Sequence, residues 1–221
     1  MRKKILIVGG LGNMGRRYKR ILKNIPGIST YCIDVNYQSW LDDVSFDGII
    51  IATPTSTHYE LILEYHEKYP DIPILCEKPI SHSMDEIYAL SEKPYLKLQM
   101  VNQYQCALEN LRFKDHRIPS GLTYYDYFKT GNDGLYWDTI NIIGLNDWVE
   151  TPIIKNSSAI WTCIINGQKL TLEAIDWGYI IMIQEWLGDL SFFEDVRGVK
   201  MRYIVDAHKR VHNLIGNVTD D

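Results

Sequence analysis

Up to residue 102 short, wholly apolar runs alternate with amphipathic stretches. Lys4–Val8 is a run rich in β-branched residues that breaks at Gly9, and Met14–Asn24 carries Met14, Tyr18, Ile21 and Leu22 at the spacing of one helix face. Pro26-Gly27 ends that helix, and Ser29–Val35 reads as a second strand. Gly48–Ala52 is apolar throughout, as expected of a parallel strand covered on both faces. Tyr59–Tyr69 predicts a helix and Pro73–Cys76 a strand. Ser83–Ser91 predicts another helix, with Ser83 as cap and Glu86 at the capping-box spacing. Leu96–Val101 predicts a further strand. Strands alternating with helices imply right-handed βαβ crossovers, hence an α/β fold with a doubly wound Rossmann sheet.

The rhythm then changes. Leu122–Phe128 is a tyrosine-rich strand, followed by the turn-prone Thr130–Gly134 and an apolar helical run through Ile143. Ala159–Ile165 and Gln168–Ile175 flank Asn166-Gly167, a strong signal for a two-residue hairpin. Tyr179–Leu187 and Tyr203–Ile215 predict helices. The expected organisation is a Rossmann domain over residues 1–102 and a small α+β domain with an antiparallel sheet over 103–221. A small sheet of this kind leaves an edge or face uncovered, so the second domain is expected to pair two copies into a homodimer.

Charge and composition narrow the partners. The net charge of -5, with no basic stripe, gives nucleic acid no electrostatic purchase. No apolar run approaches the roughly 20 residues of a membrane span. The basic start Met1-Arg2-Lys3-Lys4 is followed by too few apolar residues for a secretory signal. Cys32, Cys76, Cys106 and Cys163 are scattered, without metal-ligand spacing, so no metal is expected. Reduced cytoplasmic thiols acting as small buried hydrophobes account for them.

The chemistry begins at Gly10-Leu11-Gly12-Asn13-Met14-Gly15, a G-x-G-x-x-G directly after a strand and opening a helix. Gly10 permits a tight turn, Gly12 lets a pyrophosphate approach the backbone, and Gly15 allows close packing of helix on strand. Asn13 and Met14, between them, open the helix whose N–H groups face the phosphates. Asp34 closes the second strand and would accept hydrogen bonds from ribose hydroxyls while repelling a 2′-phosphate. The cofactor expected is therefore NAD rather than NADP. A tight turn that holds no ligand is the plain alternative, and the strand, helix and carboxylate around the motif weigh against it.

Ile51-Ala52-Thr53-Pro54-Thr55-Ser56-Thr57-His58 and Cys76-Glu77-Lys78-Pro79, taken with the glycine motif, resemble the Gfo/Idh/MocA oxidoreductases over about residues 4–104. The resemblance implies that Thr53, Pro54, Thr55 and His58 lie along the cofactor, with Glu77 and Lys78 beside it. It also implies that Lys78 is the active-site lysine and that the Lys78–Pro79 bond is cis. A lysine there would donate a proton to, or polarise, a carbonyl that receives hydride. Read without the resemblance, Lys78 is a surface lysine in a turn and His58 a packing residue at a helix start.

In the family's next motif Asp138 falls on its aspartate, while the expected histidine is replaced by Ile142, with Asn141 the nearest polar residue. Asp138 and Asn141 are thus the candidates to accompany Lys78, although Asp138 is equally well an N-cap. Neither isoleucine nor asparagine serves as a general base near neutral pH. The family's second domain is usually larger, so a shortened one is expected. The leading expectation is an NAD-dependent oxidoreductase acting on a small-molecule substrate, a sugar, nucleotide-sugar or cyclitol-type alcohol or ketone. The alternatives are a biliverdin- or imine-type reductase, and a cofactor-binding scaffold without catalysis.

Overall fold

A computed structural model of the chain describes residues 2–34, 41, 43–103, 106, 122–127, 153–156, 162–165, 168–171, 176–191 and 193–215. The Cα positions form two compact units, one of Met1–Val101 with Glu185–Asp206 and one of Asn102–Gln184 with Ala207–Asp221.

The first unit is built on five parallel strands in the order β2-β1-β3-β4-β5. These are β1 (Lys3–Val8), β2 (Ile28–Ile33), β3 (Gly48–Ile51), β4 (Ile74–Cys76) and β5 (Leu98–Met100). Ile7 lies in register with Cys32 on one side and with Ile50 on the other. Ile51 lies in register with Cys76, and Cys76 with Met100. The apolar runs explain the centre: Ile5–Val8 and Ile49–Ile51 are all fully buried, as strands covered on both faces must be. Helix α1 (Asn13–Lys23) links β1 to β2, α2 (His58–Lys68) links β3 to β4, and α3 (Met84–Ser91) links β4 to β5. Right-handed crossovers put α1 on one face and α2 and α3 on the other, because the chain steps from β1 to β2 in the opposite sense to its later steps.

Helix α1 buries Gly15, Tyr18, Ile21 and Leu22 and finishes with Arg20 and Lys23 in its last turn, where cations suit the dipole. Ser83 caps α3 as its spacing predicts, its hydroxyl accepting the Glu86 N–H at 3.5 Å. The reciprocal half of the capping box is relayed. The Glu86 carboxylate takes the Ser81 hydroxyl, and Ser81 Oγ accepts the Ser83 N–H at 2.9 Å.

Residues 185–206, expected in the second domain, belong to the first unit. They come from α4 (Asp176–Asp189) and α5 (Phe193–Ile215). The fully buried Trp186 lies against Gly48, where an added Cβ would stand 2.6 Å from the indole. Lys3 Nζ donates to the Leu187 carbonyl at 2.7 Å, and Lys200 bridges Gln99 of β5 and Asp189.

The second unit holds a four-stranded sheet, β7-β6-β8-β9, from Leu122–Tyr127 (β6), Ile153–Asn156 (β7), Thr162–Ile165 (β8) and Gln168–Thr171 (β9). The β6/β8 and β8/β9 pairs are antiparallel, but β6/β7 is parallel, so the expected antiparallel sheet is a mixed one. Connection length explains the difference. Ile165 pairs with Gln168 across a two-residue link that suits only a hairpin, whereas the long link from Tyr127 to Ile153 permits a parallel crossover. Asn166-Gly167 itself, and the helical run expected through Ile143, lie outside the described residues. Among the described residues, no helix is long and apolar enough to cross a membrane.

Candidate functional site at the carboxyl edge of the parallel sheet

Parallel strands bring all their C-terminal ends to one edge, where ligands bind in open α/β sheets. At that edge β1 gives way to the glycine loop. The left-handed residue is Gly9, with φ +80°, rather than Gly10, the glycine to which the motif assigns the turn. A Cβ on Gly9 would lie 2.8 Å from the Ala52 carbonyl oxygen. Gly10 is required for another reason: β2 passes so close that its Cβ would meet Cys32 Cβ at 2.7 Å, while its N–H bonds the Ile33 carbonyl at 2.9 Å. Gly15 packs tightest of all, its Cβ position falling 2.2 Å from the Gly9 oxygen.

Gly12 differs from these. It is the N-cap of α1, and a Cβ there would find nothing nearer than 3.4 Å. No side chain caps the helix and no acidic residue stands in its first turn, which begins Asn13-Met14-Gly15. The first-turn N–H groups have no carbonyl one turn back to bond, so this end presents unpaired donors and a partial positive charge. Those features fit a dinucleotide pyrophosphate. Asp34, exposed, follows Ile33 directly at the end of β2, next to the strand residue that anchors Gly10.

Two further loops leave the same edge. After β3, Thr53 and Pro54 lead into a single 3₁₀ turn, Thr55–Thr57, and then α2. Thr57 Oγ1 reaches Thr53 Oγ1 and the Pro54 carbonyl, each at 2.8 Å. After β4, Glu77 N bonds the Ile51 carbonyl at 2.9 Å, and the Lys78–Pro79 bond is cis. Lys78 is 2% exposed, which excludes the surface-lysine reading. Glu77 is buried too: its carboxylate accepts the Tyr18 hydroxyl of α1 at 2.5 Å and the Lys78 N–H at 3.2 Å. Helical spacing places Tyr18 on the apolar face of α1, and spacing along one chain carries no signal for this long-range bond.

His58 is 1% exposed, with Nδ1 2.8 Å from the Pro79 carbonyl oxygen and Nε2 2.9 Å from that of Thr53. The packing reading of this residue and its place beside the cofactor loop thus meet in one side chain. Burial holds its pKa below the ordinary 6.5, and His82 adds to this, while the two carbonyls and Glu77 push back. Burial and Glu77 push the Cys76 thiol well above its usual range, leaving it unreactive. A histidine depressed in the fold stabilises it least where the unfolded chain takes up the proton first. Its contribution is full above pH 6.5 and is lost as pH falls through and below that value. Urea unfolding between about pH 7.5 and 5.5 should show a loss of stability that His58→Gln reduces. An unchanged slope in the variant would contradict this assignment.

Asp138 and Asn141, with Ile142, lie outside the described residues.

Residues 26–94 match a family profile described as the oxidoreductase family, NAD-binding Rossmann fold. The scyllo-inositol 2-dehydrogenase (NAD(+)) of Bacillus subtilis strain 168 is 30% identical over 38% of this chain, a match that spans 30% of that relative. Among solved structures, a myo-inositol dehydrogenase from Corynebacterium glutamicum superposes with a TM-score of 0.69 at 13% identity, covering 99% of this chain and 97% of that one. The WlbA dehydrogenase from Thermus thermophilus, in complex with NAD and UDP-GlcNAcA, gives 0.67 at 14% identity over 99% and 96%. Over residues 26–94 the chain is thus similar to the Gfo/Idh/MocA oxidoreductases, and across its length it shares the fold of these dehydrogenases.

Proposed function

We propose that the chain is an NAD-dependent oxidoreductase of a sugar, nucleotide-sugar or cyclitol-type alcohol or ketone. The observation that carries the reading is the burial of Lys78 at the edge where the uncapped glycine loop opens. The relatives' substrates, an inositol and a nucleotide sugar complex, support the polyol class. When bound, the nicotinamide supplies or accepts the hydride. The glycine loop binds the pyrophosphate with backbone N–H groups, and Thr53, Pro54 and Thr55 line the way toward the reactive end. Lys78 donates a proton to the carbonyl oxygen as it becomes an alcohol, or accepts one in the reverse direction. By the resemblance, Asp138 is the candidate to orient Lys78 or bind substrate hydroxyls, and Asn141 is the further candidate to accompany it. Nicotinamide absorbance in the presence of inositols and UDP-sugars tests the reading, and no turnover across that panel would count against it.

Asp34 sets the cofactor preference in this reading. Its carboxylate takes the ribose hydroxyls and repels a 2′-phosphate. NADH should bind more tightly than NADPH in fluorescence titrations. Asp34→Ala should reduce the preference about tenfold or more, the scale of a lost charged hydrogen bond. Tighter NADPH binding by the wild type would refute the argument.

The free thiols Cys32, Cys76 and Cys106 suit a reducing cytoplasm. For assembly we favour a homodimer through the second sheet, whose outer strands β7 and β9 each leave a backbone edge to pair. Light scattering at micromolar concentration decides this, and a monomer ends it.

A further inference from the structure

The Lys78 loop is held from two directions by side chains that no ligand touches in the scheme above. From α1, Tyr18 bonds the Glu77 carboxylate, whose other oxygen accepts the Lys78 N–H. From the start of α2, His58 sets its two ring nitrogens against the carbonyls of Pro79 and Thr53. The Thr53 loop in turn abuts the glycine loop, since a Cβ on Gly9 would touch Ala52 O and Thr53 Cγ2. These contacts close a ring: α1, Tyr18, Glu77, Lys78-Pro79, His58, Thr53, Gly9 and back to α1. An imidazole suits its place in that ring. It is flat and rigid, with a carbonyl 2.8–2.9 Å from each nitrogen, and the neutral ring that burial favours donates its one N–H to one carbonyl while its edge packs against the other.

We propose that His58 is a positioning residue for Lys78, tying the Lys78-Pro79 loop to the Thr53 loop and so to the phosphate-binding turn. The inference rests on the reading of Lys78 as the proton-transfer group, but the clamp itself is a property of the protein without cofactor. His58 lies too deep to contribute to dinucleotide affinity directly, and its ring nitrogens are turned to backbone. Its effect falls on how long the Lys78 loop stays closed.

The test is made on the full chain without dinucleotide. Lysine acetylation with acetic anhydride is followed at Lys78 by peptide mass spectrometry, and amide hydrogen exchange is followed in Ile5–Val8 as a measure of the whole fold. His58→Leu should raise the Lys78 acetylation rate about tenfold, the effect of losing a hydrogen bond that opposes local opening. Exchange in Ile5–Val8 reports global opening and should stay more strongly protected than Lys78 in wild type and variant alike. NADH affinity, titrated separately, should stay within a few-fold of wild type. His58→Gln, whose amide can donate to one carbonyl, should recover part of the protection, and it decides the matter if His58→Leu does not fold. An unchanged Lys78 rate in the folded variant overturns the proposal. So does equal protection of Lys78 and Ile5–Val8 in the wild type, which would make the exposure of Lys78 a global event. A Lys78→Ala protein that turns over normally would sink the catalytic reading while leaving the acetylation result standing, so the two failures are told apart.

Discussion

Replacing Lys78 with alanine is expected to lower turnover about 10²–10⁴-fold, the usual worth of a positioned general acid. NADH affinity should stay within a few-fold of wild type, because in the proposed reading the glycine loop and Asp34 act at the pyrophosphate and adenosine ribose. In that reading Lys78 acts at the other end of the cofactor, where its proton matters only as the hydride moves. An interaction made in the transition state lowers kcat and kcat/KM together when it is removed. Lys78→Arg should fail almost as badly, since a guanidinium does not release its proton near neutral pH. Lys78 is also buried, so alanine removes packing along with the amine. Lys78→Met keeps most of the stem and separates the two effects: it should unfold like wild type and still be as slow as the alanine variant. Once a substrate is in hand, normal turnover by Lys78→Ala would show that the family's chemistry has not carried over to this chain.

The strands of the first sheet were legible because each is a short apolar run between amphipathic helices, a pattern that a sheet covered on both faces imposes directly. Placement of the glycine motif was legible for the same reason, since the strand before it and the helix after it could both be read. Its internal division of labour was not. The motif names Gly10 as the turning residue, whereas the left-handed φ falls on Gly9 and Gly10 answers to the passage of Cys32. Periodicity records that Tyr179–Leu187 is helical, but not which sheet the helix meets, so it does not show that residues 185–206 group with the first unit. It does not record strand direction either, hence the parallel β6/β7 pair. His58 illustrates the limit at the site: the motif places it at the start of α2 but cannot say which way the ring turns, and the ring turns inward. The bond between Tyr18 and Glu77 joins residues far apart in sequence, and only the folded sheet brings them together.

Gly15→Ala should abolish tight NADH binding and lower stability by about 1–3 kcal/mol, the range for forcing atoms into a packed site. At an exposed interior helix position the same change would stabilise by about 1 kcal/mol, because alanine is the better helix former. Here geometry reverses the sign. The new Cβ would stand 2.2 Å from the Gly9 oxygen, 2.6 Å from Gly10 Cα and 2.9 Å from Gly10 C. All three are backbone atoms, so no side chain can rotate aside, and α1 must lift from the turn that it follows. That movement carries the first-turn N–H groups off the proposed phosphate position and drags Tyr18 from Glu77. Gly12→Ala is the matched control. Its Cβ meets nothing nearer than 3.4 Å within the protein, so the melting temperature should hold while NADH affinity falls, because the methyl occupies the space the pyrophosphate needs. Thermal unfolding and NADH titration on the two variants separate packing from ligand approach. If Gly15→Ala melts and binds like wild type, helix α1 does not sit as close to the glycine turn as these distances require. Should Gly12→Ala bind NADH at full strength, the pyrophosphate does not cross the start of α1.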